Sequence, residues 1–214
     1  MTINSFDIDP PDVDPDGICE NQTTAGAANL VLNGALCDLG TAGQFDIGDS
    51  YSSGIAAVKV AIDSAGDVSS VNFTVTGLNQ YGVSVSEVIT GVTTTAVEST
   101  LYYSQITQIA ADAAVGSNVF VGPVDDFVSQ ICPVNWQATE AYTTAAMNVT
   151  GTINYDMQAS FDQIRDQNPL YWYSYQASKT ATLAAEAVRH SVTVRLLVNS
   201  YSSGAELQYQ VVGQ

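Results

Sequence analysis

Basic residues are scarce in this chain. Lys59, Arg165, Lys179, Arg189 and Arg195 stand against 22 Asp and Glu in 214 residues, a net charge of −17. A surface of that sign repels phosphate backbones and anionic headgroups, so neither nucleic acid nor a membrane surface is an expected partner. Histidine is scarcer still, with His190 alone. Cys19, Cys37 and Cys132 are odd in number and show neither CxxC nor Cys/His spacing. A disulfide framework and a zinc site are therefore not signalled, and small buried thiols are expected instead. No run approaches the ~18 apolar residues of a membrane span. The opening MTINSFDIDPPDVDPD lacks the basic and apolar regions of a signal peptide, so synthesis in the cytoplasm is expected.

The usual traces of chemistry are also missing. GxGxxG, GxxxxGK[ST], HExxH and GxSxG do not occur, and each marks a cofactor cradle, a metal site or a nucleophile elbow. A nucleophile–base pair would have to use His190, whose spacing puts it with the apolar residues of a strand. Asp125-Asp126 is the kind of carboxylate pair that 22 acids produce by accident rather than a glycosidase dyad. No catalytic, cofactor-binding or metal-ligating residue is assigned, and a non-enzymatic protein is expected.

What is present is alternation. "IAAVKVAID", "VNFTVTG", "INYDMQASF" and "HSVTVRLLV" all repeat with period two and are rich in Val, Ile, Thr and aromatics, the signature of half-buried strands. Turn chemistry separates them at 63–67, 78–82 and 114–117 and at two copies of SYSSG, 50–54 and 200–204. The fold expected is all-β, an antiparallel β-sandwich or jelly-roll-like arrangement of two β modules, 45–122 and 123–214, behind an extended acidic N-terminal arm over 1–44. In 153–161 the spacing places Ile153, Tyr155, Met157, Ala159 and Phe161 on a core face and Asn154, Asp156, Gln158 and Ser160 on a solvent face. In the last hairpin Val188, His190, Val192, Val194, Leu196 and Val198 share the apolar face, with Arg189, Ser191, Thr193, Arg195 and Leu197 opposite. "SKTATLAAEAVRH" is the one helix-compatible stretch and reads as a loop or a short helix. Both SYSSG copies read as hairpin turns with Tyr51 and Tyr201 exposed at their tips.

Three features bear on binding. Asp12-Val13-Asp14-Pro15-Asp16-Gly17 fits the opening of a calcium loop, but Thr23 stands where the closing Glu is required, so an acidic solvated arm is the better reading. Tyr171-Trp172-Tyr173-Ser174-Tyr175 is the densest aromatic cluster, able to cap the core or to meet a sugar or a protein. Residues 1–164 hold 19 acids and one base, whereas 165–195 hold four bases and two acids. That asymmetry gives a neighbouring copy something to pair with, and it makes Tyr171, Trp172, Tyr173, Arg189 and Arg195 the candidate partner-contact residues.

Val75-Thr76-Gly77, Glu87-Val88-Ile89-Thr90-Gly91, and Ile106-Thr107-Gln108-Ile109 through Val121-Gly122 together resemble a pattern common in structural proteins of tailed bacteriophages. The second half, "VTGTINYDMQASFDQI" with the loop "YWYSYQASKTA" and the closing "AVRHSVTVRLLVNSYSSGAELQYQVV", is similar to theirs as well. The resemblance spans about 49–214 and is weak over 1–44. It implies a virion component, foremost a head decoration (cement) protein that binds the major capsid protein and copies of itself as an oligomer, a trimer being the expected form. A tail or neck component, or a glycan- or receptor-binding module on a fibre, is the alternative.

Overall fold

The computed structural model describes residues 2–10, 13–37, 43–50, 54–134, 142–162, 170–188 and 191–213. Arg189, His190 and Tyr51 lie outside them, as does Asp12 of the acidic motif. The strands are β1 (Thr2–Ile8), β2 (Cys19–Thr24), β3 (Ala28–Asn29), β4 (Phe45–Asp46), β5 (Ile55–Ser64), β6 (Asn72–Leu78), β7 (Ser84–Thr90), β8 (Val97–Glu98) and β9 (Gln105–Ala111). They continue with β10 (Val115–Ser129), β11 (Cys132–Pro133), β12 (Tyr142–Thr150), β13 (Ile153–Ser160), β14 (Tyr173–Lys179), β15 (Leu183–Val188), β16 (Thr193–Tyr201) and β17 (Glu206–Gly213). One helical turn, α1 (Ile47–Ser50), interrupts them. The protein is all-β and antiparallel, with a sandwich-like build.

The chain forms two compact units that are discontinuous in sequence. One gathers Met1–Asp12, Tyr51–Ala56 and Asp125–Gln214, the other Val13–Ser50 and Ala57–Val124. In the second unit one sheet runs β3-β9-β6-β7, with β4 also on β9, and the other runs β2-β10-β5-β8. Phe73, Val75, Ile106 and Ile109 of the first sheet and Val58, Val60, Ile62, Val119 and Val121 of the second are buried, so alternate residues of each supply the core. The β6–β7 hairpin forms where Asn79 and Gly82 predict it. Asn79 Oδ1 accepts the Tyr81 and Val83 amides at 2.9 and 3.1 Å, and Gly82 takes a φ of 72°. The turn expected at 114–117 lies earlier, because Val115 already pairs with Thr24 in β10.

The acidic segment is extended, as its sequence suggests, but it is not solvated throughout. β1 pairs along its length with β17, from Thr2↔Gly213 to Ile8↔Leu207. Ile18, Cys19, Leu30, Leu32 and Cys37 are buried. Apolar residues sparse enough to look like an arm suffice when each enters an existing core.

In the first unit one sheet runs β1-β17-β12-β15 and the other β14-β13-β16-β10, with β11 also on β16. Ile153, Tyr155, Met157 and Ala159 are fully buried, as their alternation predicts. The opposite face departs from expectation. Gln158, Ser160, Ser191, Thr193 and Arg195 are buried too, so β13 and β16 are covered on both faces at this end rather than on one. Phe161, assigned to the core, is 60% exposed, because β13 ends at Ser160 and alternation lapses with the strand.

Two further readings are corrected. Leu183–Val188 is strand, not loop or helix: it pairs with β12 through Tyr142↔Val188, Thr143↔Ala187 and Thr144↔Glu186, and sheet pairing overrides the helical preference of Ala and Leu. Nor is the second SYSSG copy a hairpin; the first lies largely outside the described residues. At the second copy Gly204 takes a φ of 70° and Ala205 donates to the Ser202 carbonyl, but β16 and β17 belong to different sheets. The turn carries the chain from one sheet to the other. Tyr201 is 9% exposed and packs edge-on to Phe127 at 5.7 Å, so it is a core residue and not a loop tip.

Candidate aromatic interaction site

The aromatic cluster falls on an edge. Among the described residues β14 pairs with β13 alone, which leaves most of its side chains to solvent. Two register shifts against β13 bend it, and Ser178 takes a left-handed φ of 53°. Asp156 pins this bend: its carboxylate accepts the Ser178 amide at 2.8 Å, the Ser174 hydroxyl at 2.8 Å and the Asn199 amide at 3.1 Å. Three donors on one carboxylate fix the edge strand that carries the aromatics.

Each aromatic has a different place. Tyr175 points inward, its hydroxyl 2.6 Å from Thr144 Oγ1 in the opposing sheet. Trp172 is half-buried and lies over Arg195, whose guanidinium carbon is 4.2 Å from the ring centroid. The Arg195 Nε donates to Gln158 Oε1 at 2.9 Å, and Arg195 is only 7% exposed. A buried charge therefore has a π-face on one side and an amide acceptor on the other, which offsets its desolvation. Arg195 was expected as a partner contact. It instead serves inside the unit, because the face of β16 that carries it is covered.

Tyr171 is 83% exposed, with its amide donating to Asp162 Oδ2 at 2.6 Å. Asp162 is itself held by its amide bond to Ser160 Oγ at 3.1 Å. Tyr173 and Phe161 stack at 5.1 Å with an interplanar angle of 12°. Phe161, Tyr171 and Tyr173 are thus three exposed aromatic rings presented from the end of β13 and the start of β14. Spacing alone misassigned Phe161; the signal that marks it is its position beside Asp162 at the end of the alternating run.

The acidic motif behaves as a packed corner. The Gly17 amide donates to the Asp14 carbonyl at 3.1 Å, and burial, with a bond that the protonated Asp14 carboxyl gives to the Asp16 carboxylate, holds the Asp14 carboxyl above its ordinary range. Among the described residues no group of three His, Cys, Asp or Glu is placed to hold a metal ion. Cys19, Cys37 and Cys132 are free and buried.

Comparison with protein-family models, with curated proteins and with solved structures finds no match to this chain.

Proposed function

We propose that the chain is a non-enzymatic structural protein of a tailed-phage virion, which decorates the outside of the head and stabilises the shell by binding the major capsid protein and further copies of itself. The observation that carries this reading is the exposed trio Phe161, Tyr171 and Tyr173, gathered at the end of β13 and the start of β14. Aromatic rings left in water on an otherwise well-buried scaffold gain most when a partner covers them, and aromatic anchors of this kind dominate protein interfaces. The net charge of −17 opposes indiscriminate association between copies, so specific contacts must supply the attraction. Contacts made only in the assembled shell then add to its stability by mass action.

Quantitative mass spectrometry of purified virions tests this. Hundreds of copies per particle are expected for a head decoration, whereas a count of about six or about twelve would assign the protein to the neck or tail, as ring symmetry there requires. The stacked Phe161–Tyr173 pair also favours a second reading, a glycan-binding face, since flat exposed rings suit the apolar face of a sugar. A glycan array with wild type and Tyr171→Ala separates the two. Tyr171 is the residue to change, because Trp172 covers a buried charge and its loss would disturb the fold.

A further inference from the structure

A shallow cleft of about 270 Å³ opens in the first unit between the end of β1, the bulge of β12 and the start of β17, lined by Asp7, Ile8, Asp9, Asn148, Glu206, Leu207 and Gln208. Ile8 and Leu207 are buried and form an apolar floor, while Asp7, Asp9 and Glu206 are exposed at the rim. The rim is braced: Gln208 Nε2 donates to Asp7 Oδ1 at 2.8 Å and Asn148 Nδ2 donates to Gln208 Oε1 at 3.1 Å. Three carboxylates and no Lys or Arg line the cleft. An aliphatic stem on the floor with an ammonium at the rim fits it, which describes a lysine side chain.

The chain itself offers one. Among the described residues Lys59 lies over the Tyr102 ring at 5.3 Å and Arg195 is held by Gln158 and Trp172. Lys179 is paired with Tyr155 through the backbone ladder, but its side chain has no hydrogen-bond or ion-pair partner among them. It is the last residue of edge strand β14, the strand that carries Tyr173, and it belongs to the one stretch where bases outnumber acids. Copies of a chain at −17 repel one another over most of their surface, so an unengaged lysine is where attraction between copies is available.

We infer that the Lys179 end of β14 docks into the Asp7/Asp9/Glu206 cleft of a second copy of this chain. The contact deepens the reading of a multi-copy structural protein, and it is testable without virions. Absence from purified virions would overturn that reading and leave this contact standing, whereas a monomer in solution would do the reverse.

The full-length protein is followed by sedimentation velocity over about 1–100 µM, with Lys179→Glu, Glu206→Lys and the double variant, each checked by circular dichroism for an intact β spectrum. Wild type associates, each single reversal weakens association at least about tenfold, and the double recovers most of the loss because the pair is restored with its signs exchanged. Charge reversal is the readout because salt screens both the local attraction and the general repulsion. Monomeric wild type overturns the inference, and so does association indifferent to either single variant or a double no better than the singles. A monomer that binds a lysine-bearing peptide in a Glu206-dependent way assigns the cleft to a foreign basic partner and overturns it equally.

Discussion

The guanidinium carbon of Arg195 lies 4.2 Å from the centroid of the Trp172 ring while its Nε donates to Gln158. Trp172 and Gln158 act on one charge from two directions, and their loss should differ. Gln158→Leu leaves a buried donor without its acceptor and should cost about 1.5–3 kcal/mol. Gln158→Glu keeps an acceptor and adds the opposite charge, so it should lose less. Trp172→Ala removes a desolvated cation–π contact and should cost about 2 kcal/mol from that contact alone. Urea midpoints by circular dichroism give the order.

This arrangement marks the limit of what the sequence discloses. Period-two alternation says which residues of β13 and β16 share a face, and it places Ile153, Tyr155, Met157, Val194, Leu196 and Val198 in the core correctly. It does not say whether the second face is covered, which depends on Trp172, a residue outside both strands, reaching Arg195. Turn residues behave alike: Asn79 and Gly82 close a hairpin, but Ser202 to Gly204 turn the chain without disclosing which sheet it enters next. The Leu183–Val188 strand was hidden for a third reason, since its partner β12 lies some forty residues upstream and local propensity does not register it. The aromatic cluster itself was legible as a unit; the separate roles of its rings were not.

Asp112 grips Asn72 with both oxygens, accepting the backbone amide and the side-chain amide at 2.8 Å each. These bonds favour the carboxylate and hold its pKa below the ordinary 3.8. With the folded value depressed, the stability from this pair is present above pH 3.8 and is lost as pH falls through the folded value. Asp112→Asn should flatten the dependence of Tm on pH between about 4 and 2. An unchanged acid slope in the variant would assign acid sensitivity to other carboxylates.

A Cβ at Gly122 would run into the Asp14 carbonyl and the Pro15 backbone, whereas one at Gly116 or Gly26 would meet nothing within 4 Å. Gly122→Ala should therefore cost about 3 kcal/mol or more, because backbone and not a flexible side chain must give way. Gly26→Ala should lie within about 0.5 kcal/mol of wild type. Thermal unfolding of the two variants side by side distinguishes close packing from a general intolerance of substitution.

All three thiols are buried, and burial pushes each up from its ordinary value of 9.0. The thiolate is the reactive form, so alkylation of the native protein at pH 8 should be slow at all three sites. Labelling in a urea series, read by mass spectrometry, should rise with unfolding. Fast native labelling of Cys132 would mean that its bond from Asn4 Nδ2 at 3.1 Å does not persist.

The register that joins Ile8 to Leu207 and Thr2 to Gly213 sets an order on folding during synthesis. Val13–Ser50 and Ala57–Val124 can complete their unit while the later strands are still being made. β1 leaves the ribosome about two hundred residues before the strand that satisfies its backbone, and loop closure that long slows the final pairing. For that interval it is an unpaired edge, and its Asp7, Asp9 and Pro10 are the residue types that keep such an edge from recruiting the wrong strand. The acidity of β1 and the residues after it thus protects an early strand until its late partner arrives.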